Sequence, residues 1–430
     1  MSKKIKPKNN IILLDFKTTE EKEPHDIKFH IRQFADMVIF CVSAFLIGLV
    51  TGAADALFGI VLLDLTGIRQ SSPIYFIPFL APAGILIYFI YDRFGKETQN
   101  GMSLLFERAR NNRTEIKLRL IPFVTLSTWM THLFGGSAGR EGVAVQIGGT
   151  IGSFTAKGLK IKNKNTAKIL TISGMAAGFG GLFRTPLAAV FFASEVMTVG
   201  TLEVSALLPS IIAAYTASTV SGLLGLEKFS VDLNLLDTDY DIKFYVLLCI
   251  SGILFGIVGG LFAYVLPKCK KLLSALLKNP YLKIGLTGAL ISIASLLLYS
   301  GRYSGLGTNL ITEAFGGGEI YAWDFVLKFI FTIVTLSAGF QGGEVTPLFS
   351  IGASLGAVLA AASGMPILLF AALGYAAVFG AAANTLIAPI LIGAEVFGHE
   401  YIPFFFVVCS IAYVCNGNNS IYSLQLKKQS

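Results

Sequence analysis

Six runs of this chain, 37–54, 71–91, 204–226, 244–267, 284–301 and 401–426, contain no charged side chain. Each is long enough, or nearly so, to cross roughly 30 Å of hydrocarbon as a helix. A water-facing fold has to wet its surface with charge, and soluble domains carry about 25% charged residues. This chain carries 14%, with 54% apolar residues, so it reads as a polytopic membrane protein. Its 45 glycines and 14 prolines exceed what plain spanning rods need. Inside a bilayer a helix breaks only where protein or a water-filled cavity satisfies the freed backbone groups, so function is expected at the breaks.

Other classes drop out on the same residues. Cys41, Cys249, Cys269, Cys409, Cys415, His25, His30, His132 and His399 lie too far apart for paired metal ligation and read as packing residues, so neither metal nor cofactor is expected. The net charge of +8 gathers in the N-terminal tail and in short loops beside the spans, where leaflet electrostatics explains it without nucleic acid. The tail, beginning Met-Ser-Lys-Lys-Ile-Lys-Pro-Lys, lacks the apolar core of a signal peptide and is expected in the cytoplasm. Nothing outside the spans suggests an enzyme, and no regulatory domain is expected after Ser430.

The chain also repeats itself. At an offset of 200 residues, Gly174, Ala176, Ala177, Phe179, Gly180, Thr185, Ala188, Glu195 and Val196 match Gly374, Ala376, Ala377, Phe379, Gly380, Thr385, Ala388, Glu395 and Val396. Upstream, Ser137-Ala138-Gly139, Gly142, Ile151 and Gly152 match Ser337-Ala338-Gly339, Gly342, Ile351 and Gly352. One ungapped offset that includes an acidic pair points to an internal duplication. Lys157, Lys160, Lys162, Lys164 and Lys168 crowd the loop after the first glycine-rich segment, whereas Val345 to Ala394 holds no charge. The two loops therefore face opposite sides, and the repeat is expected to be inverted with a site at the repeat interface. The polar stretch with Lys228, Asp232, Asp237, Asp239 and Asp241 marks the boundary, and Lys268–Lys283 reads as a loop.

Chemistry concentrates between Thr131 and Gly152, a segment too glycine-rich for one helix and too apolar for a surface loop. It reads as a helix, a break and a new helix starting near Glu141. Such an N-terminus aims free N–H groups and a positive dipole end into the membrane, an anion-binding arrangement. The Glu141 carboxylate can take the anion's place and leave when protonated, which makes a gate coupled to a proton. An ordinary interfacial cap by Arg140 and Glu141 is the plain alternative. Glu195 and Glu395 read as capping acids or proton-path residues. Arg184 pairs with a carboxylate or attracts anions. His132 and Trp129 pack, and the run with Glu97, Glu107, Arg108, Arg110, Arg113, Glu115, Lys117 and Arg119 is a solvated cytoplasmic loop.

Gly139-Arg140-Glu141-Gly142 followed by Gln146-Ile147-Gly148-Gly149 resembles the gating-glutamate motif of the CLC chloride channel and transporter family, and the resemblance extends over roughly 35–426. Gly342-Gly343-Glu344-Val345-Thr346-Pro347 resembles the family's second anion-binding helix start, and Ile421-Tyr422-Ser423 its C-terminal site tyrosine. Four positions depart from the chloride pattern. Gln99-Asn100-Gly101-Met102-Ser103 puts Met102 where a serine contacts chloride, Val143 follows Gly142 in place of proline, Val196 replaces an inner proton-transfer acid, and Glu344 stands where an apolar residue is usual. With Thr346, these departures resemble the bacterial fluoride/proton antiporter branch.

Fluoride is small, strongly hydrated and a good hydrogen-bond acceptor, so a site for it benefits from protonatable donors. Protonated Glu141, Glu344, the hydroxyls of Thr346 and Tyr422 and helix-terminal N–H groups would replace its water shell. Glu344 beside an anion route is expected to be protonated during part of the cycle. As a buried structural acid it would instead bond backbone N–H groups.

The expected fold is thus an all-α, CLC-like polytopic membrane protein with two inverted repeats and broken helices meeting at a midplane anion site. Its divisions are a tail 1–34, repeats 35–226 and 244–426, a linker 227–243 and a C-terminal tail 427–430. The resemblance implies export of fluoride driven by inward proton movement through the cell membrane, with chloride exchange or passive anion flow as the alternative. It implies Glu141 as gate and Gly139, Arg140, Gly142, Met102, Gly343, Glu344, Val345, Thr346 and Tyr422 around the anion. Lipids and a second copy of the chain are the expected partners, the homodimer buried through 186–197 and 204–226.

Overall fold

The computed structural model describes residues 27–110, 115–159, 164–233 and 241–427. The first half contains α1 (Ile27–Ser71), α2 (Pro73–Phe76), α3 (Leu80–Ile90), α4 (Met102–Arg110), α5 (Leu120–Leu133), α6 (Glu141–Gly158), α7 (Lys164–Phe183), α8 (Pro186–Glu195) and α9 (Leu207–Leu223). The second contains α10 (Ile242–Leu276), α11 (Pro280–Leu297), α12 (Thr308–Gly316), α13 (Asp324–Ala338), α14 (Val345–Ser363), α15 (Ile367–Ala383), α16 (Ile387–Phe397) and α17 (Ile402–Cys415). Among the described residues β-pairing is confined to two isolated bridges.

The repeat is visible as a physical two-fold. The Glu195 carboxylate, at the end of α8, accepts from the backbone N–H groups of Leu386, Ile387 and Ala388 at the start of α16. The Glu395 carboxylate, near the end of α16, accepts from Leu187 and Ala188 at the start of α8, at 3.1 and 2.8 Å. Each helix places its terminal acid on the other's unsatisfied donors, so the two run antiparallel and the contacts exchange under the 200-residue offset. That reciprocity assigns Glu195 and Glu395 to capping. Arg184 and Asn384, also equivalent, take the same left-handed turn before these helices, with φ of 57° and 54°.

The repeat is inverted. α10 has 35 residues and measures about 52 Å at 1.5 Å per residue. Lys270, near its end, shares a cavity with Gln99, while Lys243, near its start, donates to the Ser363 carbonyl at the end of α14. α6 ends beside Glu115, which Lys157 meets at 3.0 Å, close to where Glu97 pairs with Lys117. α6 therefore runs toward the face where α10 ends, and α14 toward the face where it starts.

Glycines in both repeats sit where backbones touch. A Cβ on Gly148 would fall 2.1 Å from the Gly174 carbonyl oxygen, and one on Gly178 2.1 Å from that of Ala144, so α6 and α7 pack at the closest possible range. α14 and α15 repeat the device, with Gly352 and Gly374 each against the other's carbonyl at 2.0 and 2.1 Å. With little hydrophobic drive between helices in lipid, such small-residue seams supply the van der Waals contact that holds them.

Several expected boundaries shift. Ile27–Phe34, placed in the tail, already belong to α1, and Ile242 and Lys243, placed in the linker, open α10 behind an Asp241 cap that accepts from Phe244. Lys268–Lys283 is mostly the end of α10, with only 277–279 between it and α11. The apolar run 401–426 is not one span: α17 stops at Cys415, and an irregular segment carries Tyr422 back into the molecule. α8, offered as a dimer face, is buried along most of its length inside the subunit. Met1–Asp26, Arg113, Lys160, Lys162, Asp237, Asp239 and 428–430 lie outside the described residues, as does the Lys164 side chain.

Candidate anion site

Both repeats break just before α6 and α14, and the breaks clasp each other. Gly139 N–H donates to Gly343 O at 2.5 Å and Gly343 N–H donates to Gly139 O at 2.8 Å, an antiparallel bridge that brings two helix N-termini together. A side chain at Gly139 would collide with Pro347 and Gly343, so this close approach requires glycine.

Glu141 is fully buried at this junction. Its Oε2 accepts from Arg140 N–H at 3.2 Å, from Thr346 N–H at 3.1 Å and from the Thr346 hydroxyl. Among the described residues Oε1 has no hydrogen-bond partner, and it lies 3.8 Å from Arg140 Nε. The carboxylate therefore occupies an anion position, but the second repeat's helix provides two of its three donors. Sequence reasoning had it at the start of its own helix alone. The bonds cross between repeats, so as an interfacial cap Glu141 would serve the start of α14 rather than that of its own helix.

An inner cavity of about 520 Å³ reaches this junction from the face bearing Lys270 and Lys283. Met102, Gly142, Gly343, Glu344 and Tyr422 line it, together with Gln99, Asn100 and Gln146. Of the other expected residues, Gly139, Arg140, Val345 and Thr346 are buried with Glu141, behind the layer formed by Gly142, Glu344 and Tyr422. Gly142 faces Glu344, whose Oε2 would lie 3.9 Å from a Cβ there. Glu344 is the N-cap residue of α14 and makes no side-chain cap bond to that helix, while its carboxyl has the backbone N–H of its own residue as a partner, so the structural-acid alternative keeps one of its bonds. Lys270 interacts with its charge across the cavity.

Sequence reasoning missed Lys270, Lys283 and Tyr375, and had Gln146 in the motif without a place at the site. Gly101, at φ 43°, packs against the Gln146 amide, which aims that side chain at the Met102 break. Tyr375 is buried, stacks on Phe349 with centroids 4.0 Å apart and interacts electrostatically with Glu141 and Arg140. Its signal was a lone tyrosine replacing Met175 in the repeat. Two readings are corrected or refined. Arg184 neither pairs with a carboxylate nor enters the anion site: it donates to Leu226 O at 3.1 Å and packs on Gly222. His132 and Trp129 pack as expected, with Trp129 bonded to Phe58 O and His132 Nε2 3.4 Å from Gly139 O.

Inverted halves, helices broken at their meeting point and a carboxylate lodged on converging N–H groups define an inverted-repeat membrane transport protein with an anion-receptive centre. Residues 83–417 match the voltage gated chloride channel family, and the chain belongs to that family. It is 34% identical over 388 residues to a chloride/fluoride channel protein of Pseudomonas syringae pv. tomato, covering 88% of this chain and 84% of that protein. It is 27% identical over 363 residues to the H(+)/Cl(-) exchange transporter ClcA of Vibrio campbellii, covering 79% and 76%. The crystal structure of a CLC-type fluoride/proton antiporter superposes with a TM-score of 0.89 at 48% identity, covering 92% of this chain and 99% of that one. A slow cyanobacterial Cl-/H+ antiporter shares the fold, with a TM-score of 0.76 at 22% identity over 89% of this chain and 96% of that one.

Proposed function

We propose that the protein exchanges fluoride for protons across the cell membrane, exporting fluoride as protons enter. The observation that carries this reading is the Glu141 carboxylate held on Thr346 while Glu344 and Tyr422 wait at the head of the inner cavity. Glu141 fills the anion position when ionised. On protonation it loses its charge-assisted bonds, leaves the α14 start and hands the vacant N–H and O–H donors to fluoride. A proton and an anion thus use the same donors in turn, which is what couples opposite movements. The 48% identity to a fluoride/proton antiporter supports fluoride over chloride, as does Met102 in place of a hydroxyl-bearing residue.

The face into which the inner cavity opens carries Lys117, Arg119, Lys157, Lys270 and Lys283, and the positive-inside rule makes it cytoplasmic. The N-terminus is assigned to the same side. A homodimer would bury the apolar outer faces of α9 and α17, where Leu208, Ile211, Tyr215, Phe406, Val407 and Val414 are exposed. Lipid covers the rest. Proteoliposomes loaded with fluoride test the proposal: an outward fluoride gradient drives protons inward against their own gradient. Fluoride loss without proton movement would leave the alternative, a passive anion channel.

A further inference from the structure

A second cavity, of about 310 Å³, opens at the opposite end of α11 from the inner one. Lys283, in the first turns of α11, lines the inner cavity, and Tyr299–Arg302, just past its end, line the outer. α11 has 18 residues, about 27 Å at 1.5 Å per residue. The two cavities therefore face opposite sides of the membrane with the Glu141 junction between them. Arg69 joins the outer cavity to that junction: it donates to the carbonyl of His132, whose ring meets the carbonyl of Gly139, two residues before Glu141.

Two buried basic residues in this region, Arg69 and Lys328, have no acidic hydrogen-bond partner among the described residues. Arg69 is 2% exposed, and the His132 carbonyl is its hydrogen-bond partner among the described residues, although a guanidinium carries five donors. Its head packs against Gly305, at φ 64°, where a Cβ would lie 2.6 Å from Nη1. Lys328, fully buried, donates to Ser137 Oγ, Tyr303 O and Gly305 O at 2.9, 3.1 and 2.7 Å, all neutral acceptors. Three acids lie in this part of the molecule, and Glu313 acts electrostatically on Arg302. Asp324 binds Arg302 and Tyr303, and Glu319 binds the Tyr321 hydroxyl. Arg69, which stays charged, is thus buried with a neutral partner only, a costly arrangement unless a counter-charge is supplied. Arg69 also lines open volume, beside Gln70 and Asn309, into which its spare donors can bond. The wall opposite turns through Tyr299 and Ser300 at φ 56° and 48°, a strained conformation for residues with a side chain.

We propose that this outer cavity is an anion-binding site, with Arg69 as principal ligand and a small monovalent inorganic anion, fluoride or a larger halide, as occupant. Its role as the outer station of the pathway rests on the fluoride exchange proposed above, whereas binding itself does not. The ion would leave Thr346 for the guanidinium before entering bulk water, and its presence would balance the charge of Arg69.

The test uses crystals of the full chain soaked in bromide, located by its anomalous scattering, together with fluoride titration on each side of proteoliposomes. Arg69→Gln removes the ligand. Because Arg69 is buried, Gln70→Glu, at an exposed rim position, serves as the second variant by offering the guanidinium a carboxylate in the anion's stead. Bromide within hydrogen-bond reach of Arg69 in the wild type, lost in both variants, is expected. Gln70→Glu is also expected to raise half-saturation by fluoride about tenfold, the worth of one charge-assisted bond, on the outer side alone. Absence of bromide at Arg69 in the wild type would overturn the site. Bromide bound there with unchanged outer half-saturation in Gln70→Glu would make it an adventitious ion only, which overturns the station. Bromide bound at Arg69 in a wild type without coupled exchange would retire the exchange reading and leave the site standing.

Discussion

Thr346→Val isolates the bond on which the gate position depends. Valine keeps the shape of threonine, and the backbone N–H of residue 346 still reaches Glu141 Oε2 at 3.1 Å, so the substitution removes only the hydroxyl donor. Oε2 would retain that N–H and Arg140 N–H, while Oε1 has no hydrogen bond to compensate. A hydrogen bond to a charged group contributes about 1.5–3 kcal/mol, which is about 10- to 150-fold in occupancy of the lodged position. A gate that leaves its seat this much more readily admits fluoride without waiting for a proton. Proteoliposomes read simultaneously with fluoride and pH electrodes should show a lower proton-to-fluoride ratio and a raised passive fluoride leak. Wild-type ratio and leak in folded Thr346→Val protein would refute the claim that this hydroxyl holds the gate.

The remaining predictions concern the cavity and the frame. Met102→Ser places a hydroxyl at the inner break and is expected to weaken the preference for fluoride over chloride, read as the ratio of the two fluxes; an unchanged ratio would sink the selectivity argument. Glu344→Ala is expected to cut coupled transport strongly while the protein still folds, since Glu344 makes no cap bond to α14. Normal exchange in folded Glu344→Gln would restrict its part to a neutral hydrogen-bonding group, and near-normal exchange in Glu344→Ala would remove it from the mechanism. Gly148→Ala puts a methyl group 2.1 Å from the Gly174 carbonyl oxygen and forces α6 from α7. Overpacking of this kind costs about 1–3 kcal/mol, so a lower thermal midpoint in detergent is expected, and an unchanged one would show the seam to be slack.

The membrane class, the repeat and the broken helix start at Glu141 were legible in the sequence because each has a one-dimensional signature: uncharged runs, a fixed offset, and glycines bracketing an acid. Glu195 and Glu395 were legible as a pair, with capping as one of two readings, but the helix starts they cap were not, because each acts on the other half of the chain, about 190–210 positions away. The same limit hid the donors of Glu141. Nothing local to Arg140–Gly142 says that Thr346 will receive its carboxylate; only the Gly139–Gly343 bridge brings the two starts together. The absence of charge misled at 401–426, because the polar but uncharged Asn416-Gly417-Asn418-Asn419-Ser420 follows the end of α17 without interrupting the run. The presence of charge misled equally at Lys268–Lys283, where long basic side chains reach water from a helix that continues. Lys270 and Lys283 thereby looked like loop charges although they line the inner cavity.

The most direct test of the account imposes a fluoride gradient on proteoliposomes holding the wild-type protein or Glu141→Gln, and follows both ions in the same vesicles. The account predicts that wild-type protein moves protons uphill, opposite to fluoride, and that Glu141→Gln, which cannot cycle between carboxylate and acid, moves none. Uphill proton movement of undiminished size in Glu141→Gln would contradict it.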